Sequence, residues 1–141
     1  LPFDYAFLWD QPLVVKGNDP AQLQQLVARI NSLQTRGGTN IYRPIDAAWS
    51  LFLSMEDQFF RYLPSVILMT DGRSQEGSLA ELMDRWRSHR APFDLPPVFC
   101  IMYGKADDSQ LNGIAEATYG KVFDGRQGGL DKAFRSAKGY N

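Results

Sequence analysis

Two short polar segments hold the residues best suited to binding an ion: Gly37-Gly38-Thr39-Asn40 and Thr70-Asp71-Gly72. The first opens a helical pattern, and the second closes a run of strand-forming residues. Loops that leave the carboxyl ends of parallel strands converge on one edge of a sheet, so the Thr39 hydroxyl and the Asp71 carboxylate could share a ligand there. Mg²⁺ is a hard cation that prefers oxygen ligands. The two segments therefore predict part of a divalent-cation site, for Mg²⁺ or Mn²⁺, with Thr39 and Asp71 as ligands.

The other candidates for chemistry have simpler structural explanations. Asp10 follows a predicted strand and could face the same edge, but a turn residue is the better interpretation. His89 is the only histidine and lies near a predicted helix end, where a positive charge is favourable. Cys100 is the only cysteine and lies in an apolar strand pattern, which indicates a buried thiol. A single cysteine also excludes an internal disulfide and a cysteine-built zinc site.

A phosphoryl-transfer hydrolase is the alternative to a binding module. Asp71 could act as a nucleophile or metal ligand, and Gly37-Gly38-Thr39 at a helix start could cradle a phosphate. The sequence has no Walker P-loop, no Gly-x-Gly-x-x-Gly and no Gly-x-Ser-x-Gly. We therefore expect a binding module and not an enzyme.

Composition limits the classes of partner. The 141 residues contain 15 Lys plus Arg against 16 Asp plus Glu, which gives a net charge of -1. This balance gives little reason to expect nucleic acid or an anionic membrane as a partner. No apolar run approaches the roughly 18 to 20 residues of a membrane-spanning helix, so we expect no membrane insertion. The length suits a single domain over residues 1–141.

Hydrophobic patterns predict the elements that must position Thr39 and Asp71. Two short runs, Tyr5–Trp9 and Leu13–Val15, predict an antiparallel hairpin. From residue 37 onward helices and strands alternate, which predicts a doubly wound α/β fold with a mostly parallel sheet and helices on both faces. The predicted strands are Val66–Met69, Val98–Tyr103 and Lys121–Phe123. Five helices are predicted from caps and helical spacing. The first is capped by Asn18 or Asp19, with apolar spacing over Leu23–Leu33, and the second is capped by Thr39 or Asn40. The third is capped by Ser78 and reaches about His89, the fourth is capped by Asp107, Asp108 or Ser109, and the last covers Leu130–Lys138.

Three stretches together resemble the von Willebrand factor type A domain: Arg36-Gly37-Gly38-Thr39-Asn40-Ile41, Ile45-Asp46-Ala47-Ala48 and Val66-Ile67-Leu68-Met69-Thr70-Asp71-Gly72. The resemblance extends over nearly the whole chain and implies a Rossmann-like fold with an antiparallel edge hairpin. It also implies a metal-ion-dependent adhesion site, in which Thr39 and Asp71 hold a divalent cation and an acidic side chain of a protein partner completes the coordination. Residues 133–141 are similar to the end of certain bacterial multidomain proteins of this family, which carry a solute-binding-like domain upstream. The compartment of the parent protein, whether the cell envelope, the outside of the cell or its interior, stays open.

The sequence departs from the family at the first strand, whose Asp-x-Ser-x-Ser motif supplies the remaining ligands and is absent here. The family places that strand at the centre of the sheet, so its absence would leave a gap beside the Val66–Met69 strand. The missing strand could lie upstream of Leu1, a second chain could fill the gap by dimerisation or strand complementation, or the sheet could close without it. We expect the first outcome, and we expect this chain to bind Mg²⁺ weakly or not at all.

The expected function is therefore an adhesion or scaffolding module for protein partners, acting through a cation at Thr39 and Asp71 when complete. A metal-independent scaffold of the same fold, which docks partners through its helices or its hairpin edge, is the alternative. In either case the polar loop Arg73–Gly77 beside Asp71 could shape the choice of partner.

Overall fold

The regular structure comprises five helices and three strands in a computed structural model that describes residues 1–4, 6–34, 37–55, 64–87, 95–126 and 129–138. The helices are α1 (Pro20–Asn31), α2 (Tyr42–Leu53), α3 (Leu79–Arg87), α4 (Asp108–Ala117) and α5 (Leu130–Lys138). The strands are β1 (Val66–Thr70), β2 (Val98–Met102) and β3 (Val122–Asp124). The alternation of helices and strands from α2 onward confirms the predicted α/β class. None of the helices in these ranges has the length and apolar character needed to cross a membrane.

The three strands form a parallel sheet in the order β1-β2-β3. β1 pairs with β2 in register from Val66 opposite Val98 to Thr70 opposite Met102. The central strand β2 is buried at every position, as predicted for a continuous apolar run in a parallel sheet. β1 is only half-buried at several positions, because within the described residues it pairs on one side alone.

Helices cover both faces of the sheet, as predicted, because successive side chains of a strand point to opposite faces. Leu68 and Cys100 point to the larger core, and Phe99 and Ile101 point to the smaller one. The larger core is completed by α2, α3 and α4 through Ile45, Trp49, Leu82, Trp86, Leu111 and Ile114. The smaller core is completed by Ala133 and Ala137 of α5. Both cores use β2, so β2 is the structural centre of the described sheet.

Short polar side chains begin three helices, which confirms the capping patterns in the sequence. The Asp19 carboxylate accepts hydrogen bonds from the backbone N–H groups that follow it at the start of α1. Asp107 does the same for α4. Ser78 and Glu81 form the reciprocal capping box before α3. Such caps satisfy N–H groups that have no acceptor inside the helix.

The predicted hairpin over Tyr5–Trp9 and Leu13–Val15 is wrong for the part of it that the structure describes. Residues 6–18 contain no named strand, and the only pairing in the opening segment is an isolated antiparallel bridge between Phe3 and Phe7. Tyr5 lies outside the described residues. A two-stranded hairpin is marginally stable without a third strand or a helix packed on it. The apolar pattern is present, but the described residues supply no neighbouring strand that would stabilise a hairpin there.

The helix α1 has its predicted cap and spacing, yet it buries none of its residues. Its side chains Leu23, Val27 and Ile30 are 41%, 56% and 50% exposed. Helical periodicity therefore correctly predicted this helix, but its apolar stripe is not covered by the described residues. The helix α3 is described as far as Arg87, and the predicted end near His89 lies outside the described residues.

Candidate functional site

The loops that carry Thr39 and Asp71 lie against each other at the carboxyl end of β1. An ideal Cβ placed on Gly72 would lie 3.2 Å from the Thr39 hydroxyl oxygen. The backbone N–H of Gln75 donates to the Thr39 carbonyl oxygen over 2.9 Å. Thr39 and Asp71 also line the same cavity, of about 440 Å³. Sequence order alone predicted this convergence, and the structure brings the two side chains to one site.

Asp71 is held by the loop that follows β2. Its carbonyl oxygen accepts a hydrogen bond from Lys105 N–H over 2.9 Å, and a Cβ on Gly104 would lie only 2.8 Å from the Asp71 Cβ. Gly104 has a φ of +56°, a conformation that L-residues with a side chain rarely adopt. The Asp71 backbone is thereby fixed, whereas its carboxylate remains exposed.

The negative charge of Asp71 affects the pKa of the neighbouring Tyr103 phenol. Burial, followed by the negative charge of Asp71, raises the pKa of Tyr103 above its ordinary value. Tyr103 lines the same cavity as Asp71. The phenol therefore stays protonated at neutral pH and offers an O–H group beside the carboxylate.

Thr70 is the last residue of β1 and is buried. Its hydroxyl oxygen accepts a hydrogen bond from Gly72 N–H over 3.3 Å and lies 3.1 Å from the Gly72 carbonyl oxygen. These contacts shape the turn that presents Asp71. Thr70 is thus a strand-end residue that supports the turn.

Ser74 joins the two loops, and the sequence did not single it out. It is buried, and its hydroxyl oxygen accepts a hydrogen bond from Ile41 N–H over 3.1 Å. The same hydroxyl lies 2.8 Å from the Glu76 carbonyl oxygen and 3.4 Å from that of Thr39. Gln110 of α4 accepts from Ser74 N–H and donates to the Ser74 carbonyl oxygen. The contacts of Ser74 with Thr39, Ile41 and Gln110 span more than 30 residues of sequence, which is why no local pattern predicted them.

Asp4 is a second residue that sequence reasoning missed. Its Oδ1 and its N–H bond to the backbone of Ala6, and its carbonyl oxygen accepts from Asn40 N–H over 2.8 Å. Asp4 is buried, and within the described residues its Oδ2 has no hydrogen-bond partner. An Asp that bonds to the N–H group two residues later is a known turn signal, and that signal could have identified this turn. The turn fixes the opening segment to the Thr39–Asn40 loop.

Of the remaining sequence candidates, Asp10 and Cys100 do not line this cavity, and His89 lies outside the described residues. Asp10 is exposed and does not line the cavity, so it adds no ligand there. Arg73 forms an ion pair with Asp107 over 3.4 Å, close to Asp71 in sequence. Burial raises the pKa of the Cys100 thiol to about 12, so Cys100 is a buried neutral thiol as predicted.

The described residues fit a divalent cation only in part. Mg²⁺ takes octahedral coordination, usually keeps several waters and uses one or two carboxylates. Thr39 and Asp71 offer one hydroxyl and one carboxylate at the shared cavity. Among the residues that the structure describes, no group of three acidic, histidine or cysteine side chains is placed to hold a metal ion. The hydroxyl of Thr39 and the carboxylate of Asp71 are ligand types that suit Mg²⁺.

Comparison with known proteins identifies the family of most of the chain. No curated protein matches the sequence. A family model described as a von Willebrand factor type A domain matches residues 4–123. The matched region contains the Thr39 and Asp71 loops and every element from α1 through α4. The chain therefore belongs to the von Willebrand factor type A domain family.

Proposed function

We propose that this chain is a protein-interaction module in which Thr39 and Asp71 contribute to a divalent-cation site that receives a carboxylate from a protein partner. Domains of this family are generally interaction modules and not enzymes. The proposal depends above all on the position of the Thr39 hydroxyl, which lies against Gly72 and lines one cavity with Asp71. A cation bound there supplies positive charge and open coordination positions for an acidic group.

The proposal includes an incomplete site. Residues 1–141 are taken as a single, partial domain that supplies one hydroxyl and one carboxylate. Since Mg²⁺ keeps its waters unless enough protein oxygens replace them, we infer that the chain alone binds Mg²⁺ weakly or not at all. The partner's carboxylate, or a further strand, would then raise the affinity for the cation.

Paramagnetic broadening by Mn²⁺ tests the location of this weak site. Substoichiometric Mn²⁺ is added to the isotopically labelled chain, and the backbone amide signals are followed by NMR. The amides of Thr39, Asp71 and Gly72 should broaden before all others. Asp71→Asn should abolish this selectivity, while the matched control Asp10→Asn, which removes an exposed carboxylate that does not line the cavity, should leave it intact. Equal broadening in the wild type and in Asp71→Asn would refute the proposed ligand.

Acetate serves as the simplest probe for the partner's carboxylate. If cation and carboxylate share one coordination sphere, each must raise the affinity for the other by the same factor. Acetate should therefore increase the Mn²⁺ broadening at Thr39, and formamide, a neutral oxygen ligand, should do so less. A tight one-to-one Mg²⁺ site in titration calorimetry without acetate would refute the inferred incompleteness.

A metal-independent scaffold is the second candidate, and one observation favours it: the described residues contain no three-membered cluster of metal-binding side chains. The two candidates differ in their response to a chelator. Once a protein partner is in hand, EDTA and Asp71→Ala should both abolish binding by a cation-dependent module. A scaffold would keep its binding in both experiments.

A further inference from the structure

We propose that the protein partner of this chain carries a second acidic side chain, which binds Lys105 and Arg73 beside the cation ligand Asp71. The first acidic group, on the cation, rests on the proposed function, whereas the second pairs with side chains of this chain alone. Lys105 and Arg73 together are called the basic pair. The partner is therefore an acidic segment with at least two Asp or Glu residues close together.

The basic pair lies where the loop after β1 meets the loop after β2. The Asp71 carbonyl oxygen accepts a hydrogen bond from Lys105 N–H over 2.9 Å. Two residues further along both loops, the Arg73 Nε lies 3.4 Å from a carboxylate oxygen of Asp107. Gly104 lets the loops approach this closely, since a Cβ there would lie 2.8 Å from the Asp71 Cβ. The two loops therefore run side by side and hold both basic residues next to Asp71.

The positive charges of the basic pair are exposed and only partly neutralised. Lys105 is exposed, and no ion pair between described residues includes it. The Arg73 side chain is 73% exposed, and its contact with Asp107 is longer than the roughly 2.7 to 2.9 Å of a strong charge-assisted hydrogen bond. The Asp107 side chain is only 24% exposed, and its carboxylate also caps α4. The surface therefore presents more positive than negative charge at the basic pair.

Arg126, which follows β3 on the same rim of the sheet, is neutralised far more completely. Its Nε and one of its terminal nitrogens each lie 3.0 Å from an oxygen of Asp124, and the other terminal nitrogen lies 3.5 Å from Asp108. Two carboxylates thus serve Arg126, whereas Arg73 has a single longer contact and Lys105 has no ion pair within the described ranges. An incoming acidic side chain therefore gains more at the basic pair than at Arg126.

The spacing of the basic pair and the cation ligands fits two acidic residues close together in the partner. Hydrogen-bonded backbones lie about 5 Å apart, so the side chains of Asp71 and Lys105 start from neighbouring points. Successive residues of an extended peptide advance by about 3.5 Å. One acidic side chain can therefore bind the cation at Thr39 and Asp71 while another, one or two residues away, reaches Lys105. A nucleic acid is a poorer fit, because the chain as a whole has a net charge of -1.

Two peptides test the basic pair without a cation. The triglutamate peptide acetyl-Gly-Glu-Glu-Glu-Gly-amide is compared with acetyl-Gly-Gln-Glu-Gln-Gly-amide, which keeps one carboxylate. The whole chain carries Asp71→Asn, which removes the proposed cation ligand and its negative charge, and is freed of metal by EDTA and of EDTA by gel filtration. The amide signals of Lys105 and Arg73 are followed by NMR. They should shift before all others, and the triglutamate peptide should bind at least about threefold more tightly than the one-carboxylate peptide.

Substitutions assign this difference to the basic pair. In the Asp71→Asn protein, Lys105→Gln should remove most of the difference between the two peptides, and Lys105→Arg should retain it because the charge is kept. Lys132→Gln is the matched control, since Lys132 is an exposed lysine of α5, and it should leave the difference unchanged. Equal binding of the two peptides, or a difference that survives Lys105→Gln, would overturn the proposal.

The wild-type chain in the same metal-free buffer tests whether the peptide binds next to Asp71. The Asp71 carboxylate repels an acidic peptide bound at the basic pair, so the triglutamate peptide should bind the wild type about two- to threefold more weakly than Asp71→Asn. Equal affinity for the two proteins would place the peptide elsewhere and would overturn the proposal. A DNA oligonucleotide that shifts the Lys105 signal at a lower concentration than the triglutamate peptide would make a nucleic acid the occupant, with the same consequence.

Failure of this inference and failure of the cation site give different results. If the two peptides bind equally while Mn²⁺ still broadens Thr39 and Asp71 selectively, the basic pair has no role and the cation site stands. If Mn²⁺ shows no selectivity while Lys105→Gln removes the difference between the peptides, the cation site is wrong and the basic pair stands.

Discussion

Replacing Gly120 with alanine tests how closely the turn between α4 and β3 packs on β2. A Cβ at residue 120 would lie 1.9 Å from the Val98 carbonyl oxygen and 2.6 Å from its carbonyl carbon. Carbon and oxygen atoms approach to about 3.3 Å in close favourable contacts, so the two backbones would have to separate by more than about 1 Å. Neither atom belongs to a flexible side chain, and the substitution must therefore displace the turn or the start of β2.

Three hydrogen bonds lie in this corner and set the size of the effect. Gly120 N–H donates to Ala115 over 2.8 Å, Cys100 N–H donates to Lys121 over 2.9 Å, and Val98 N–H donates to the Thr118 hydroxyl over 3.2 Å. Losing two of them costs about 1 kcal/mol each, and overpacking adds about 1 to 3 kcal/mol. Gly120→Ala should therefore lower the free energy of unfolding by about 3 to 5 kcal/mol, a large part of the stability of a small domain.

Urea denaturation followed by tryptophan fluorescence measures this change, because Trp49 and Trp86 are buried reporters. Gly113→Ala is the matched control: it lies inside α4, and its added Cβ would meet only the Leu79 Cδ2 at an ordinary 3.4 Å. Alanine in a helix interior is favoured over glycine, so this control should be stabilised by up to about 1 kcal/mol. A Gly120→Ala protein within about 1 kcal/mol of the wild type would show that the contact of residue 120 with Val98 is wrong.

Three further outcomes are expected from single substitutions. Ser74→Ala should destabilise the chain by about 1 to 3 kcal/mol, since it leaves the N–H of fully buried Ile41 without its acceptor; urea denaturation at neutral pH checks this, and an unchanged midpoint would contradict it. Ser78→Ala should cost about 0.5 to 2 kcal/mol through loss of the α3 cap, whereas Ser50→Ala, which removes only an exposed bond within α2, should cost clearly less in the same assay. Burial raises the folded-state pKa of Cys100 to about 12, so the folded state keeps a proton that the unfolded state loses above about pH 8.5. The free energy of unfolding should therefore fall as the pH rises above about 8.5. Cys100→Ala should show a shallower fall between about pH 8.5 and 10.

Local signals predicted the helix starts because the physics of a cap is local. The Ser78 hydroxyl and the Glu81 carboxylate need only one turn of helix to find each other's backbone N–H groups. Asp19 and Asp107 act within two or three residues in the same way. The alternating pattern from Val66 onward also predicted the parallel sheet, because βα units leave few other arrangements for apolar strands.

The opening hairpin and the burial of α1 could not be predicted from their own residues. An apolar run such as Leu13–Val15 becomes a strand only if a neighbour accepts its hydrogen bonds, and the described residues provide no such neighbour. The stripe that includes Leu23 and Val27 similarly requires an opposing surface before it is buried. In both cases the pattern describes what a segment can bind, and the rest of the fold decides whether it does.

Part of the candidate site could be predicted from the sequence, and the contacts between residues far apart in sequence could not. The order of the two motifs predicted that Thr39 and Asp71 meet at the carboxyl end of β1, where ligand-binding loops of such sheets lie. The contacts of Ser74 with Ile41 and Gln110 were not predictable, since these residues are separated by 33 and 36 positions in sequence. The role of Gly104 was not predictable either, because it depends on the close approach of Asp71 in space.

The proposed cation ligands and the edge of β1 that faces away from β2 lie on the same side of the domain. One cavity is lined by Ile67 and Met69 along the edge and by Thr39 and Asp71 at its end. A strand that fills this cavity would bring whatever residue follows its paired part to the same place as the cation ligands. If that residue is basic, it neutralises Asp71 and competes with a cation; if it carries oxygen ligands, it completes the coordination and binds more tightly when the cation is present. By reciprocity the cation would change the affinity for the strand by the same factor as the strand changes the affinity for the cation. The sign of that coupling is therefore set by the chemistry of the one residue at the end of the added strand that interacts with Asp71.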